Sequence, residues 1–269
     1  MVIKVSVEHV DKSFPAAKGT GTVEVLKDVS FTADDGEIVS VIGPTGCGKS
    51  TLLRIISGLS MSTAGSVTIG GKKVTGPNNP ASGIVFQSFN LLPWRNVISN
   101  IEFGLEAREM RPEERKKIAS KYVELVGLKG FEFYHPHQIS GGMQQRVGLA
   151  RALAIDPEVI LLDEPFSSLD MLTRESLQQE VLKILQSTGK TAILVTHSID
   201  EALVLSNKIV TLGGRPSRVK SVSEVKLPYP RTDESLLNPE IVKLKAALKQ
   251  QLLKGEVLET GKNSPTGAS

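Results

Sequence analysis

Gly43-Pro44-Thr45-Gly46-Cys47-Gly48-Lys49-Ser50-Thr51 are the residues whose types and spacing first point to chemistry. An apolar run, Ile38-Val39-Ser40-Val41-Ile42, leads into them, and a helix-compatible segment, Leu52-Leu53-Arg54-Ile55-Ile56, leads away. A strand, a glycine-rich turn and a helix in that order make the G-x-x-x-x-G-K-[ST] spacing a phosphate cradle. Glycine lets the backbone curl so that successive N–H groups point inward at phosphate oxygens. The helix N-terminus adds the positive end of its dipole. Lys49 then reaches the β- and γ-phosphates of a nucleoside triphosphate, and the Ser50 hydroxyl ligates Mg²⁺. Cys47 sits where a small side chain is needed, which simple packing explains. The nearby helix start and Lys49 would also lower its pKa. On that second reading, alkylating the thiol blocks turnover and bound nucleotide protects it.

Two further groups bear on the same chemistry. Val159-Ile160-Leu161-Leu162 ends in Asp163-Glu164-Pro165, and an acid at the carboxyl end of a buried strand projects into the crevice where α/β sheets bind ligands. Asp163 would hold Mg²⁺ through its water shell, and Glu164 would polarise a water for in-line attack on the γ-phosphate. The plain alternative is two acids that merely close a strand. In Ile139-Ser140-Gly141-Gly142-Met143-Gln144-Gln145-Arg146, Ser140 would cap a helix starting near Met143, with two glycines leaving its backbone N–H groups open to an anion. A Gly-Gly turn with an ordinary cap explains the same residues. His135-Pro136-His137 has no further metal ligand close in sequence, so zinc is not expected there.

The elements that must hold these groups follow from periodicity and turn chemistry. Residues 2–10 and Val23–Phe31 read as strands, with Gly19 and Gly21 between them. Val67–Ile69 followed by Gly70-Gly71 reads as a strand and tight turn, and Gly83–Phe86 as a buried strand ending at Gln87. From about 89 to 155 helical spacing dominates, over Asn100–Glu109, Pro112–Val126 and Gln144–Ala154. In the middle helix Ile118, Tyr122, Leu125 and Val126 are expected on the buried face, and Pro112-Glu113-Glu114 is a good helix start. Val159–Leu162 and Ala192–Thr196, separated by a helix over Leu172–Gln186, imply a parallel sheet. Lys208–Leu212 and Val219–Leu227 add strands. A final helix over Glu234–Leu253 carries a stripe of Leu237, Ile241, Leu244 and Leu248.

Composition narrows the class. A chain of 269 residues with 40% hydrophobic and 23% charged residues buries a full α/β core. A net charge of +3, with basic residues dispersed, is too small to argue for nucleic acid, and no nucleic-acid partner is expected. One cysteine excludes an internal disulfide and fits a reducing compartment. No apolar run approaches the ~18 residues that span a bilayer. The N-terminus alternates like a strand rather than a signal peptide.

With the Ile139–Arg146 segment in place, the chain resembles the ATP-binding subunits of ABC transporters, whose signature reads L-S-G-G-Q/M-Q-R. The likeness runs through nearly the whole chain, motif after motif in order. It implies a P-loop NTPase (RecA-like) core with a parallel sheet, an N-terminal antiparallel β subdomain and an inserted α-helical subdomain at about 89–155. Residues 1–232 would form the ATPase domain, 233–256 a C-terminal helix and 257–269 a disordered tail. The resemblance also assigns roles. Phe14 matches the aromatic that stacks on adenine, although a lone Phe near an N-terminal strand is more often core. Gln87 matches the glutamine that joins Mg²⁺ and the attacking water to the membrane subunit. Ser168-Leu169-Asp170 matches the loop that crosses between two ATPase domains. His197 matches the switch histidine on the γ-phosphate. Ser140, Gly141, Gly142, Met143 and Gln144 would face the ATP held by a second subunit. Departures are small: Phe for Tyr at 14, Ile139 for Leu, and Ser168 for Ala.

A narrower likeness comes from Asn90-Leu91-Leu92-Pro93-Trp94-Arg95-Asn96-Val97, Arg215-Pro216-Ser217-Arg218-Val219 and Leu227-Pro228-Tyr229-Pro230-Arg231. These resemble the nitrate/sulfonate/taurine importer branch. The implied protein is peripheral on the cytoplasmic face of the inner membrane, a homodimer or paired ATPase that binds ATP and Mg²⁺. It would dock an integral membrane permease through Gln87–Arg95 and serve a solute-binding protein indirectly. Trp94 as core of the helical lobe is the competing reading of that docking segment. A soluble ABC ATPase acting on nucleic acid or ribosomes is the alternative function. Its long coiled-coil insertions or tandem cassettes are not in this sequence.

Overall fold

The computed structural model describes residues 2–16, 21–77, 80–167 and 169–260. Ser168, Gly19 and residues 261–269 of the tail expected at 257–269 lie outside the described residues, while 257–260 are helical rather than part of a tail. The chain divides into two compact units, one of residues 1–77 and 193–269, the other of residues 78–192.

The first unit opens with β1 (Ile3–Pro15) and β2 (Thr22–Asp34), which pair antiparallel with Val5 opposite Ala33 and Phe14 opposite Val23. Both strands run past the expected 2–10 and Val23–Phe31, because the pairing continues through register shifts to Pro15 opposite Thr22. All five residues of β3 (Ile38–Ile42) are buried, as a continuous apolar run in a parallel sheet requires. The phosphate-loop residues follow, then α1 (Lys49–Ile56). β4 (Ala64–Ile69) turns back through Gly70 and Gly71, at φ 55° and 75°, into β5 (Lys72–Lys73). Two positive φ values at a two-residue hairpin turn are what glycine supplies without strain. The antiparallel sheet has the order β2-β1-β4-β5.

The second unit begins with β6 (Ser82–Val85), then α2 (Val97–Glu106), α3 (Pro112–Leu125), a 3-10 turn (Pro136–Gln138) and α4 (Gly141–Ala154). β7 (Val159–Asp163) pairs in parallel with β6, and α5 (Met171–Thr188) follows. β8 (Thr191–Thr196) begins here and ends in the first unit. α2 starts three residues before the expected Asn100, because the Asn96 side chain caps it by accepting from Ser99 N–H. The buried face of α3 is also displaced. Ala119 and Val123, with Val126 just past its end, are buried, whereas Leu125 is exposed. The sequence stripe was centred about one residue too early, since Ala119 carries little weight in a hydrophobic pattern yet suits a close helix contact.

The first unit resumes with α6 (Ile199–Leu205), β9 (Lys208–Gly213), β10 (Arg218–Glu224), α7 (Asp233–Leu236) and α8 (Pro239–Thr260). Within it the strands run in the order β10-β9-β3-β8, with β3 and β9 parallel and β10 antiparallel to β9. The single helix expected over Glu234–Leu253 is broken at Leu237–Asn238. Asn238 accepts from Glu240 N–H and Pro239 starts α8, a position where its missing N–H costs nothing. Leu237 therefore leaves the stripe and is exposed, while Ile241 and Leu248 pack with Ile42, Leu203, Ile209 and Val225. Among the described residues no helix is long and apolar enough to cross a membrane.

Candidate functional site

β3 delivers the backbone into Gly43, and the loop closes on its own lysine. Lys49 is 5% exposed, and its ammonium donates to the carbonyls of Gly43 and Pro44, each at 2.9 Å. Gly48 caps α1 at φ 99°, where a Cβ would meet Val25 and Leu26 side chains at 2.8 and 2.9 Å. Ser50 and Thr51 occupy the second and third positions of α1, in the turn whose N–H groups have no helical acceptor. Over the crest of the loop stands the Arg215 guanidinium, its Nη2 3.0 Å from where a Cβ on Gly46 would lie. The sequence likeness around Arg215 gave no reason to place it there.

Cys47 corrects the expectation of a reactive thiol. It is 2% exposed, and burial pushes its pKa up, outweighing the pull of the Lys49 ammonium and of hydrogen bonds that include Ser217. The helix start and Lys49 do act in the expected direction, but desolvation of the thiolate is the larger effect. The native protein should therefore react with a thiol-specific chromogenic disulfide at pH 7.5 about tenfold or more slowly than free cysteine, and at the full rate once unfolded. Fast labelling of the native protein would overturn this.

Phe14 lies on β1, 40% exposed as a residue, with the Lys12 ammonium 4.8 Å from its ring centroid. It is not a core residue. His197 is exposed just beyond β8, on a turn fixed by neighbours. Ser198 N–H donates to Thr196 Oγ1 at 3.0 Å, Glu201 N–H donates to Ser198 Oγ, and the Thr196 hydroxyl donates to the buried Glu201 carboxylate. Ser198-Ile199-Asp200-Glu201 has the spacing of a capping box, a signal that marks the start of α6 in the sequence itself.

The second unit holds the other predicted residues. Asp163 closes β7 and is buried. Glu164 follows at φ 44°, a left-handed conformation that costs a non-glycine residue about 1–3 kcal/mol. Surrounding bonds hold it: Ser167 Oγ donates to the Glu164 carbonyl at 3.0 Å, and Gln87 Nε2 lies 3.5 Å from Glu164 Oε2 and 3.3 Å from Ser167 Oγ. Arg174 fastens the rest of the loop by donating to the carbonyls of Phe166 and Leu169. Leu169 is buried, and Asp170 caps α5 by accepting from Thr173 N–H. The Thr173 hydroxyl, then its backbone, holds the Asp170 carboxyl below its ordinary pKa.

Ser140 caps α4 by accepting from Met143 N–H, and the helix begins at Gly141, two residues before expectation. A Cβ on Gly142 would meet Thr173 Cγ2 at 3.1 Å, and one on Gly141 would meet Leu169 at 3.5 Å. Tertiary structure thus brings the Ser140–Met143 helix end against the Leu169–Thr173 segment. Gln144 turns inward, its amide donating to the carbonyls of Pro136 and Ile139. Downstream of Gln87, Trp94 is 72% exposed, which removes it from the lobe core. Buried Asn100 presents it, accepting from Leu92 N–H and donating to the carbonyls of Leu92, Arg95 and Asn96. Arg95 pairs with Glu106 at 2.8 Å.

The family described as "ABC transporter" matches residues 26–167. The aliphatic sulfonates import ATP-binding protein SsuB of Bacillus cereus is 45% identical over 95% of this chain and 98% of its own. The nitrate import ATP-binding protein NrtC of Synechococcus elongatus is 44% identical over 86% of this chain and 35% of its own. Among solved structures, the ATP-binding cassette MJ0796, a dimer in a post-hydrolysis state bound to ADP and Pi, superposes with a TM-score of 0.71. It is 35% identical and is matched over 82% of this chain and 99% of that one.

Proposed function

The chain belongs to the ABC transporter family as one of its ATP-hydrolysing, ATP-binding subunits, and from that premise we propose that it powers a small-solute importer. The solute class is nitrate, a sulfonate, taurine or a related compound, as in the named relatives. Two copies, or this chain and a paired ATPase, close around two ATP molecules. Lys49 and the loop N–H groups hold the phosphates, Phe14 stacks on adenine, and Glu164 accepts the proton of the attacking water. His197 steadies the γ-phosphate, and Ser140, Gly141, Gly142 and Met143 meet the ATP bound by the partner. Ser50, Gln87 and Asp163 each carry an oxygen of the hard kind that Mg²⁺ prefers, and these residues would hold that ion. That ion would neutralise charge on the phosphates. The protein works at the cytoplasmic face of the cell membrane, docked on a permease through Gln87–Arg95 and driven indirectly by a solute-binding protein.

One observation carries the coupling. Gln87 touches Glu164 and Ser167 on one side, and on the other it leads directly into the strap that presents Trp94. A residue so placed reports the state of the catalytic loop to whatever covers Trp94. The test is uptake: deletion of the gene should abolish ATP-dependent accumulation of at least one of nitrate, taurine or an alkanesulfonate. The wild-type chain should restore it and Lys49→Ala should not. Uptake of all three unchanged in the deletion strain would sink the importer reading.

A further inference from the structure

Between Gln87 and the Trp94 strap the chain makes a tight turn that two successive non-glycine residues hold in the left-handed region, Phe89 at φ 44° and Asn90 at φ 47°. Asn90 N–H donates back to the Ser88 carbonyl. Such a backbone persists only where its surroundings over-determine it. Arg151, near the end of α4, supplies that constraint. Its Nη2 donates to the Phe89 carbonyl at 2.9 Å and its Nη1 to the Asn90 carbonyl at 2.7 Å. The two arms of one planar guanidinium thus grip consecutive carbonyls, a geometry its rigid fork is built for. Burial lowers the Arg151 pKa, so the charge is kept at some cost and used on backbone. Asn100 pins the far end of the same strap at Leu92, Arg95 and Asn96.

We propose that Arg151 is a positioning residue that ties the helix beginning at Ser140 to the turn between Gln87 and Trp94, so that movement of that helix is transmitted to both. The inference rests on the reading of Gln87 and Glu164 given above. Because α4 carries Ser140 at its start and Arg151 near its end, a displacement of the helix shifts the two carbonyls with it.

Trp94 is the only tryptophan in the chain, so its fluorescence anisotropy reports the order of the strap directly. In Arg151→Met the anisotropy should fall, and kcat for ATP should drop about 10- to 100-fold with KM changed far less, the signature of misplacement rather than lost binding. Asn90→Val should reproduce both effects from the other side. Its exposed side chain leaves the core untouched, while a β-branched residue resists a left-handed backbone. It therefore keeps the test valid if Arg151→Met fails to fold. Unchanged anisotropy and kcat in Asn90→Val, or in a folded Arg151→Met, overturn the proposal. Gln87→Ala run in parallel separates the cases. If it leaves kcat intact, the reading of Gln87 fails, whereas the anisotropy result still judges the clamp.

Discussion

Glu164→Gln should stop ATP turnover while leaving ATP binding in place. The amide keeps the shape of the side chain and the same backbone preference at φ 44°, so the loop held by Ser167 and Arg174 has no reason to rearrange. What is lost is a carboxylate able to take a proton, and general-base catalysis contributes about 10²–10⁴-fold. ATP should then trap a dimer that elutes earlier from a sizing column than the nucleotide-free protein. A monomer under saturating ATP would count against the two-ATP sandwich. Ser140→Arg supplies the complementary arm. It removes a helix cap, a loss of about 1 kcal/mol, and sets a bulky cation where the partner's ATP would approach. Turnover should fall while the isolated subunit still binds ATP, and wild-type turnover in this variant would sink the shared-site scheme.

The second large effect concerns stability. Arg231 is 1% exposed and donates to four carbonyls: Leu227, Leu203, Ser206 and Val225, at 2.6 to 3.2 Å. Its guanidinium also lies 4.1 Å from the centroid of the Tyr229 ring, whose hydroxyl donates to the Leu205 carbonyl. Together the pair caps the last turn of α6, where helical carbonyls have no partner of their own. Arg231→Ala leaves several buried acceptors unmet at about 1–3 kcal/mol each, so an overall loss of about 4 kcal/mol is expected. For a chain of this size that corresponds to a thermal midpoint lower by about 10 °C. Arg231→Lys should recover less than half, since one ammonium lacks the fork that spans the carbonyls. A midpoint within 2 °C of wild type, measured by scanning calorimetry (the threshold being about half the shift per kcal/mol), would show that these carbonyls are satisfied without Arg231.

Most of the strands and the helix starts at Lys49 and Gly141 are legible in the sequence, since each is written in local chemistry. β3 matches its expected bounds because a short apolar run ending in glycine leaves few alternatives. Ser140 caps α4 as its residue type predicts. Where neighbours distant in sequence decide, the reading slipped. The face of α3 depended on where a small residue, Ala119, could approach another helix. The final helix breaks at Leu237–Asn238; the Asn238-Pro239 pair signals it in the sequence but is outweighed by the longer apolar stripe.

By itself, then, the sequence determined the glycine-rich turn between β3 and α1, the acid that closes β7 and the Ser140 helix cap, because spacing and side-chain type are enough for those. Only the tertiary structure decided the state of Cys47, since desolvation by the surrounding fold outweighs the Lys49 charge beside it. It alone also set the seating of Gly142 against Thr173 and the arginine clamps at Arg151, Arg174 and Arg231. The reason is the same for each clamp. An arginine that grips backbone carbonyls has a partner every residue possesses, so no pattern of side chains can announce it.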